Sequence, residues 1–526
     1  MPGLNSALNM GSRSMSASQR AVTTAGHNIA NQNTEGFSRQ QQSTQTSYPQ
    51  PSGVGGGTEA QPTIRVFDRF VQRKIVQEAS RSGVFQTREE FFSKLEIVFS
   101  EMSDSGLHRA MNDFWNSWSQ LANQPESDVV RARVRDRGDT LATRFRNTHT
   151  QLQSLRQEAD ARIQGAVDQI NNVARQIGEL NRQIFSYEIS NRNANDARDA
   201  RELAVEKLSK LVDVNMIENS NGRTSVIIGR DWMLVEGDKV FELDASLQGG
   251  ETGMVSIDGI ATHDHRRDLT RSFRGGEMTE LLQMRDETIV GYMRQLDELA
   301  FGVAAKVNGH HATGTGINSA ADLMKSAYAL TPEARAQPLP FLKDGVFQLH
   351  LVDRDNSILE TYEIEVQAGV DSLQDIVNRI NQTVNDPNLL TASIAEDGSM
   401  FLETGSPRRF IFGNDQSELT QVMGFNSFFE TLKGAADLRI GPRILEEPNV
   451  ISTGRDLIPG DNQVALAIAK LQTQATMRDE TATFGEYYNS ILGDIGLKVR
   501  RNQVEKAQQD SMVQQFQEIR SSISAV

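Results

Sequence analysis

The sequence predicts a mainly α-helical, multidomain α+β protein with terminal coiled-coil helices, a long helical bundle domain and two outward β-rich domains. Three observations carry that prediction. Apolar residues recur at alternating steps of four and three near the N-terminus, in the middle and at the C-terminus. Two blocks, 216–273 and 313–449, break that beat with short alternating runs around Gly and Pro turns. Aromatic residues are only 6% of the 526, so the cores must come from aliphatic seams, which suits long helices and thin β-modules.

The first element covers 1–40. Leu4, Leu8, Gly11, Met15, Ser18, Val22, Ala25 and Ile29 form a seam of period 3.5. Its knobs include Gly, Ser and Ala, too small to hold an isolated helix in water, so this helix needs a partner. It ends in ANQNTEGFSRQ. Asn31 and Asn33 tolerate the left-handed conformation that closes helices, Thr34-Glu35-Gly36 supplies a turn, and Phe37 offers an apolar foothold.

Residues 41–84 read as linker and extended segment. The stretch 41–63 is Gln, Ser, Thr, Gly and Pro, including GVGGG at 53–57, and 63–76 alternates briefly before helical spacing begins near 75. Residues 85–215 read as the first part of the helical bundle. The pattern is interrupted at LANQPES, where Pro125 cannot continue a helix and Glu126-Ser127-Asp128 suits a new first turn. Ala159, Ile163, Ala166, Ile170, Val173, Ile177, Leu180 and Ile184 then form the strongest seam, a long coiled-coil-like helix. Another amphipathic helix follows at 194–214.

The small β-rich insertion at 216–273 gives way to a return helix within 274–312, where Ile289, Met293, Leu296, Ala300, Val303 and Val307 keep the beat. The outer β-rich domain, 313–449, contains GVFQLHLVD, ETYEIEVQ, TASIAEDG, MFLET and RRFIFGN as strands, with SLQDIVNRINQTV and QSELTQVM as short helices. Residues 450–526 are helical again, and Met512, Phe516, Ile519 and Ile523 restore a heptad. Helical parts are expected to pack together while the β-blocks project.

The chemistry is sparse. With no cysteine there is no disulfide framework, Cys-zinc site or thiol nucleophile. A net charge of −15 without a dense Lys/Arg block leaves no electrostatic footprint for nucleic acid or an anionic membrane. No stretch approaches the apolar length of a membrane span. The first 34 residues hold Arg13 and Arg20 and no acid, yet lack the apolar core and cleavage site of a secretory signal. His263 and His265 alternate as on a strand, and His310 and His311 lie far downstream without HExxH-type spacing. They read as solvated loop histidines rather than metal ligands. The GTG at 314–316 lacks a nucleotide-binding context. In FWNSW, Phe114, Trp115 and Trp118 read as helix packing rather than a ligand platform. No catalytic, metal or cofactor-binding residue is assigned.

ANQNTEGFSRQ (30–40) resembles the N-terminal signature of the bacterial flagellar axial proteins, the rod, hook and hook-associated family. The stretches 107–145, 194–214, 275–311, 424–440 and 460–471 are similar, in the same order, to the hook-associated branch of that family. The resemblance implies a structural protein that leaves the cell unfolded through the flagellar type III system. It would assemble extracellularly as a ring of its own copies, between the hook protein and a second junction protein on the filament side, after release from an export chaperone bound near 480–526. It further implies an assembly interface of Leu4, Leu8, Met15, Val22, Ile29, Asn31, Thr34, Gly36, Phe37, Met512, Phe516, Ile519 and Ile523. The expected helical-domain core is Trp115, Trp118, Ile163, Ile170, Val173, Ile177, Leu180 and Ile184. Family chains usually carry a further amphipathic helix beyond the point matching SSISAV (521–526), so the inner layer is expected to end early here. Two other readings remain open: another axial subunit of the hook or distal rod, and a secreted surface-binding module displaying 313–449. A metal-dependent hydrolase set into an axial scaffold lacks a ligand triad at helical spacing.

Overall fold

The computed structural model describes residues 2–46, 57–99, 106–190, 192–219, 222–247, 253–262, 265–405, 407–455 and 458–524. Much of GVGGG at 53–57, and His263, lie outside them. The chain is mainly helical with small antiparallel sheets and divides into two units. One comprises Met1–Lys94, Leu155–Val290 and Leu497–Val526; the other comprises Leu95–Ser154 and Gly291–Gly496.

The first unit starts with α1 (Pro2–Asn31). After it, β1 (Gln40–Gln41) pairs with β4 (Ile64–Arg65), and β2 (Thr44–Thr46) pairs with β3 (Thr58–Ala60). The presumed linker is therefore partly paired, and β3 runs beside α1, with Ser14 Oγ and Thr58 Oγ1 3.0 Å apart. Helix α2 (Arg69–Val98) begins earlier than the spacing predicts. Asp68 explains the difference: its Oδ1 accepts the Phe70 and Val71 N–H groups, an N-cap that the brief alternation at 63–76 hides.

No proline occurs between Pro125 and Pro332. Ser127 caps the start of α4 (Asp128–Glu188), which then runs unbroken for 61 residues. Its Ile163, Ile170, Ile177 and Ile184 are fully buried, as are Ala159 and Ala166. Val173 and Leu180 are only half-buried, and Ala174 and Asn181 take the interior positions instead. The reason is the neighbour: strand beginnings and a turn present backbone groups that need hydrogen bonds, which a helix partner would not. Asn171 donates to Leu243 O and accepts from Leu243 N–H, both at 2.8 Å. Asn181 donates to Thr224 O (2.8 Å) and Gly237 O (2.7 Å) and accepts from Thr224 N–H (3.1 Å).

That neighbour follows α5 (Asn195–Leu211) and consists of β5 (Val214–Glu218), β6 (Thr224–Ile228), β7 (Trp232–Glu236) and β8 (Lys239–Val240) in one sheet. A second sheet holds β9 (Leu243–Leu247), β10 (Val255–Thr262) and β11 (His265–Asp268). The block thus docks on α4 rather than projecting freely. Helix α6 (Gly276–Gln283) passes through a π-turn at Met284–Thr288 into α7 (Ile289–His311). Gly83 is required where α2 meets the end of α5, because a Cβ there would lie 2.1 Å from Lys210 O.

In the second unit, α3 (Leu107–Asn123) brings Phe114, Trp115 and Trp118 into an aromatic core, with Trp118 and Phe428 centroids 5.4 Å apart and Trp115 stacked on Phe484. His311 is fully buried in the same core, not in a solvated loop, and His310 is half-buried. Helical spacing puts His311 on the inner side of α7, a pattern obscured by the neighbouring polar NGHH run. His311 Nδ1 lies 2.7 Å from Asn426 O, and its Nε2 accepts Ser452 N–H at 3.0 Å. That pairing fits only a neutral ring. Burial drives its pKa down to about 4.

The five strands expected in the remainder of this unit are present, beside further strands at 323–329, 429–430 and 439–440 that the spacing does not single out. One sheet has β12 (Leu323–Ala329), β16 (Ser399–Glu403) and β15 (Thr391–Ile394); the other has β14 (Ile358–Val366), β13 (Gly345–Val352) and β17 (Arg409–Asp415). Short helices α8 (Pro332–Arg335), α9 (Leu373–Val384), α10 (Leu419–Met423) and α11 (Pro442–Glu446) join them, and β18 (Phe429–Glu430) pairs with β19 (Arg439–Ile440). A capping box between Ser372 and Asp375 starts α9, whose Ile376, Val377 and Ile380 enter the sheet core. Helix α12 (Gln463–Lys470) packs on α3, and α13 (Phe484–Ser524) closes the chain, its residues divided between the two units.

Candidate assembly surface

Helix α1 has two unlike faces. Met10, with the small or polar Ser14, Ala17, Thr24, His27, Asn28 and Asn31, forms a buried or half-buried stripe turned toward its own chain. The apolar seam points the other way: Leu8, Met15, Val22 and Ile29 are 64%, 74%, 73% and 62% exposed. The Leu4 side chain lies outside the described set. Burying such a row removes roughly 1.5–3 kcal/mol of unfavourable exposure per large side chain.

The exit motif fixes this presentation. Asn28 exchanges two hydrogen bonds with the backbone of Gln40, each 2.9 Å. The Ser38 N–H donates to Asp199 Oδ2 at 2.8 Å, and Arg65 donates to Asp199 Oδ1 at 2.9 Å. Asp199 sits on α5, where burial raises its carboxyl pKa against the pull of Ser38 and Arg65. Gln40 donates to Asp196 at 2.6 Å, and Asn195 donates to Thr63 O at 2.9 Å.

The four predicted motif residues therefore serve their own chain first. Asn31 caps backward onto His27 O (3.0 Å), and its carbonyl accepts Thr34 N–H (2.9 Å). Neither Asn31 nor Asn33 is left-handed; Gly36 takes that conformation at φ +81°, close to Leu203. Phe37 is half-buried with its ring 5.6 Å from that of His27. Asp199, Arg65, Asn28 and Asn195 were missed by sequence reasoning because their partners lie 12 to 161 positions away.

The C-terminal heptad does not form one face. Met512 and Ile519 are exposed, while Phe516 and Ile523 are half-buried. Inward registration comes from polar residues: Asn502 donates to Phe85 O (3.2 Å), Gln509 to Glu78, and Arg520 to Glu206 Oε2 (2.9 Å). Ile523 lies beside Val66, Phe67 and Val71 at the start of α2. The predicted helical-domain residues are divided between the units: Trp115 and Trp118 belong to one and Ile163–Ile184 to the other.

Among the described residues no group of His, Asp and Glu is arranged to hold a metal ion. No described helix is long and apolar enough to cross a membrane.

Comparison with known proteins agrees with this architecture. Residues 92–323 match the family model described as the flagellar hook-associated protein FlgK helical domain. The chain is 25% identical to flagellar hook-associated protein 1 of Escherichia coli (strain K12) over 537 aligned positions, 99% of this chain and 93% of that protein. It is 28% identical to the protein of the same name from Bacillus subtilis (strain 168) over 276 positions, 50% of this chain and 54% of that one. The solved flagellar hook junction protein FlgK from Burkholderia pseudomallei shares the fold, with a TM-score of 0.58 at 16% identity, covering 86% of this chain and all of that one.

Proposed function

We propose that this chain, a relative of the flagellar hook-associated proteins, is a non-enzymatic axial subunit that assembles with its own copies as an extracellular ring joining hook to filament. Its neighbours in that reading are the hook protein on one side and a second junction protein on the other. Export unfolded through the flagellar type III system, with a chaperone near 480–526, belongs to the same proposal.

The observation that carries it is the exposed seam of α1. The first unit holds Leu8, Met15, Val22 and Ile29 outward in one row on a helix anchored through Asn28, Ser38 and Gln40. A helix so held is preorganised for a helical partner in a coiled-coil-like layer. Exit-motif residues Asn31, Thr34, Gly36 and Phe37 act in this reading by orienting the seam, and Met512 and Ile519 offer a smaller exposed stripe.

The test is Val22→Asp in the full chain. It is expected to abolish filament attachment in cells lacking their own junction protein, while the purified monomer keeps its melting temperature. Cells that still carry attached filaments would remove the basis of the reading.

A further inference from the structure

In the second unit an open groove of about 520 Å³ separates β12 from the segment that carries β19 and α11. Every residue from Leu323 to Ala327 lines one wall. Alternate residues of a strand point to opposite faces, so only the edge of β12 can present all of them. Hydrogen bonding agrees. Thr404 N–H donates to Asp322 O, so the antiparallel alternation turns Met324 toward β16 and the backbone groups of Leu323 and Lys325 outward. That outward edge starts paired, since Ala321 and Phe410 exchange hydrogen bonds of 2.9 and 2.8 Å. Beyond Ala321 it lies open. The Leu323 N–H turns back on Asp322 Oδ1 at 3.1 Å, and among the described residues no backbone hydrogen bond reaches Lys325 from that side.

The groove is also lined by two residues that hold donors without acceptors. Ser427 is buried and its Oγ bonds nothing among the described residues; Arg443 Nη1 is buried and unbonded too. The chain holds them near each other. Gly441, just before Pro442 and Arg443, passes so close to Ser427 that a Cβ there would lie 2.6 Å from its carbonyl oxygen. The other terminal nitrogen of Arg443, Nη2, donates to Ser319 O at 2.8 Å, which steadies the guanidinium. Charge is unbalanced at the same point. Lys325 and Arg439 are already held by Asp397 and Glu430, at 2.7 and 2.8 Å. Arg443 has no carboxylate in ion-pair range among the described residues; burial lowers its pKa, and Glu447 and Asp322 oppose that only from farther off.

We propose that this groove takes an extended acidic segment of a partner polypeptide, which adds a strand to the open edge of β12 and sets a carboxylate on Arg443 and Ser427. A carboxylate meets both needs of that corner: it accepts from two donors and supplies the missing charge, whereas an amide supplies no charge. Main-chain hydrogen bonds along the strand edge give affinity, and the carboxylate fixes the register. The contact is independent of the α1 seam and of the ring reading.

The probe is a fluorescein-labelled Thr-Val-Glu-Val-Thr-amide peptide titrated into the full chain and followed by anisotropy, with hydrogen exchange read at 323–327. It is expected to bind, to slow exchange at that edge, and to bind roughly tenfold more tightly than its Gln counterpart. Ser427→Ala is expected to keep the melting temperature, because the hydroxyl bonds nothing in the free chain, yet to weaken the Glu peptide and leave the Gln peptide unchanged. Lys325→Pro removes only an outward N–H and an exposed ion pair, and is expected to abolish binding of both peptides while the chain stays folded. Absence of binding at millimolar peptide, equal affinity for the Glu and Gln forms, or indifference to Ser427→Ala would overturn the proposal. So would glutarate that competes as strongly as the peptide, the mark of a carboxylate pocket without strand addition.

Discussion

Gln509 and Glu78 are joined twice although 431 positions separate them: the Gln509 amide donates to the Glu78 carbonyl at 3.0 Å and to its carboxylate at 2.9 Å. Both residues are buried. This clasp, with Asn502 on Phe85 O and Arg520 on Glu206, seats the last turns of α13 against α2 and α5 by hydrogen bonds rather than by an apolar seam.

Gln509→Leu should therefore destabilise more than an exposed substitution would. It removes the donor shared by the buried Glu78 carbonyl and carboxylate, leaving Arg81 on the carboxylate, a cost of about 1–3 kcal/mol. Urea unfolding of the purified chain checks the magnitude, and peptide-resolved hydrogen exchange should show residues 500–524 losing protection before the α4 interior does.

Asn181 holds the small first sheet to α4 through three backbone groups, and its Oδ1 also accepts from Arg201 at 3.1 Å. Asn181→Leu fills the same space but removes the side-chain partner of Thr224 and Gly237, and leaves Arg201 Nη1 with Gly222 O alone. The expected loss is about 3 kcal/mol, with faster exchange at β6 in hydrogen-exchange measurements. An unchanged urea midpoint would mean the sheet is held by its apolar contacts alone.

His311 predicts a pH dependence. The unfolded ring binds its proton near the ordinary value of 6.5, while the folded ring does so only near 4, because burial opposes the charge and Arg131 and Arg443 add to that opposition. The unfolded state therefore holds more protons between these values. The contribution to stability is fully present above pH 6.5 and is lost as pH falls through about 4, up to about 3 kcal/mol. His311→Gln should lower stability at neutral pH and flatten the decline between pH 6.5 and 4, read from urea midpoints across that range.

Much of this fold was legible because it rests on period. The isoleucines of α4, the strands β13–β17 and the α1 seam follow from spacing of 3.5 or 2 alone. What escaped were positions set by a distant partner. Asn181 replaces an expected leucine because the start of β6 and the turn at Gly237, rather than a helix, lie opposite it. Phe516 and Ile523 turn inward while Met512 and Ile519 do not, because Gln509 and Arg520 set the rotation of α13. Helical periodicity says which residues share a face; it does not say which face meets what. His311 shows the same limit at one residue, since only the fold reveals that Asn426 and Ser452 satisfy both of its nitrogens.

Arg131 adds a matter of timing. Its guanidinium is almost wholly enclosed, with no carboxylate in ion-pair range among the described residues; Pro125 O, Ile451 O and Thr453 Oγ1 satisfy it instead, and burial lowers its pKa to about 10. Two of those three acceptors are made more than 300 residues later in the chain. A polypeptide emerging from the ribosome N-terminus first thus carries a hydrated, charged Arg131 that cannot be enclosed until residues 451–453 exist. The first unit waits longer still, for Gln509 and Arg520. Closing such long loops is entropically costly before its contacts can repay it. Neither unit can therefore be completed until residues beyond 450 have been made.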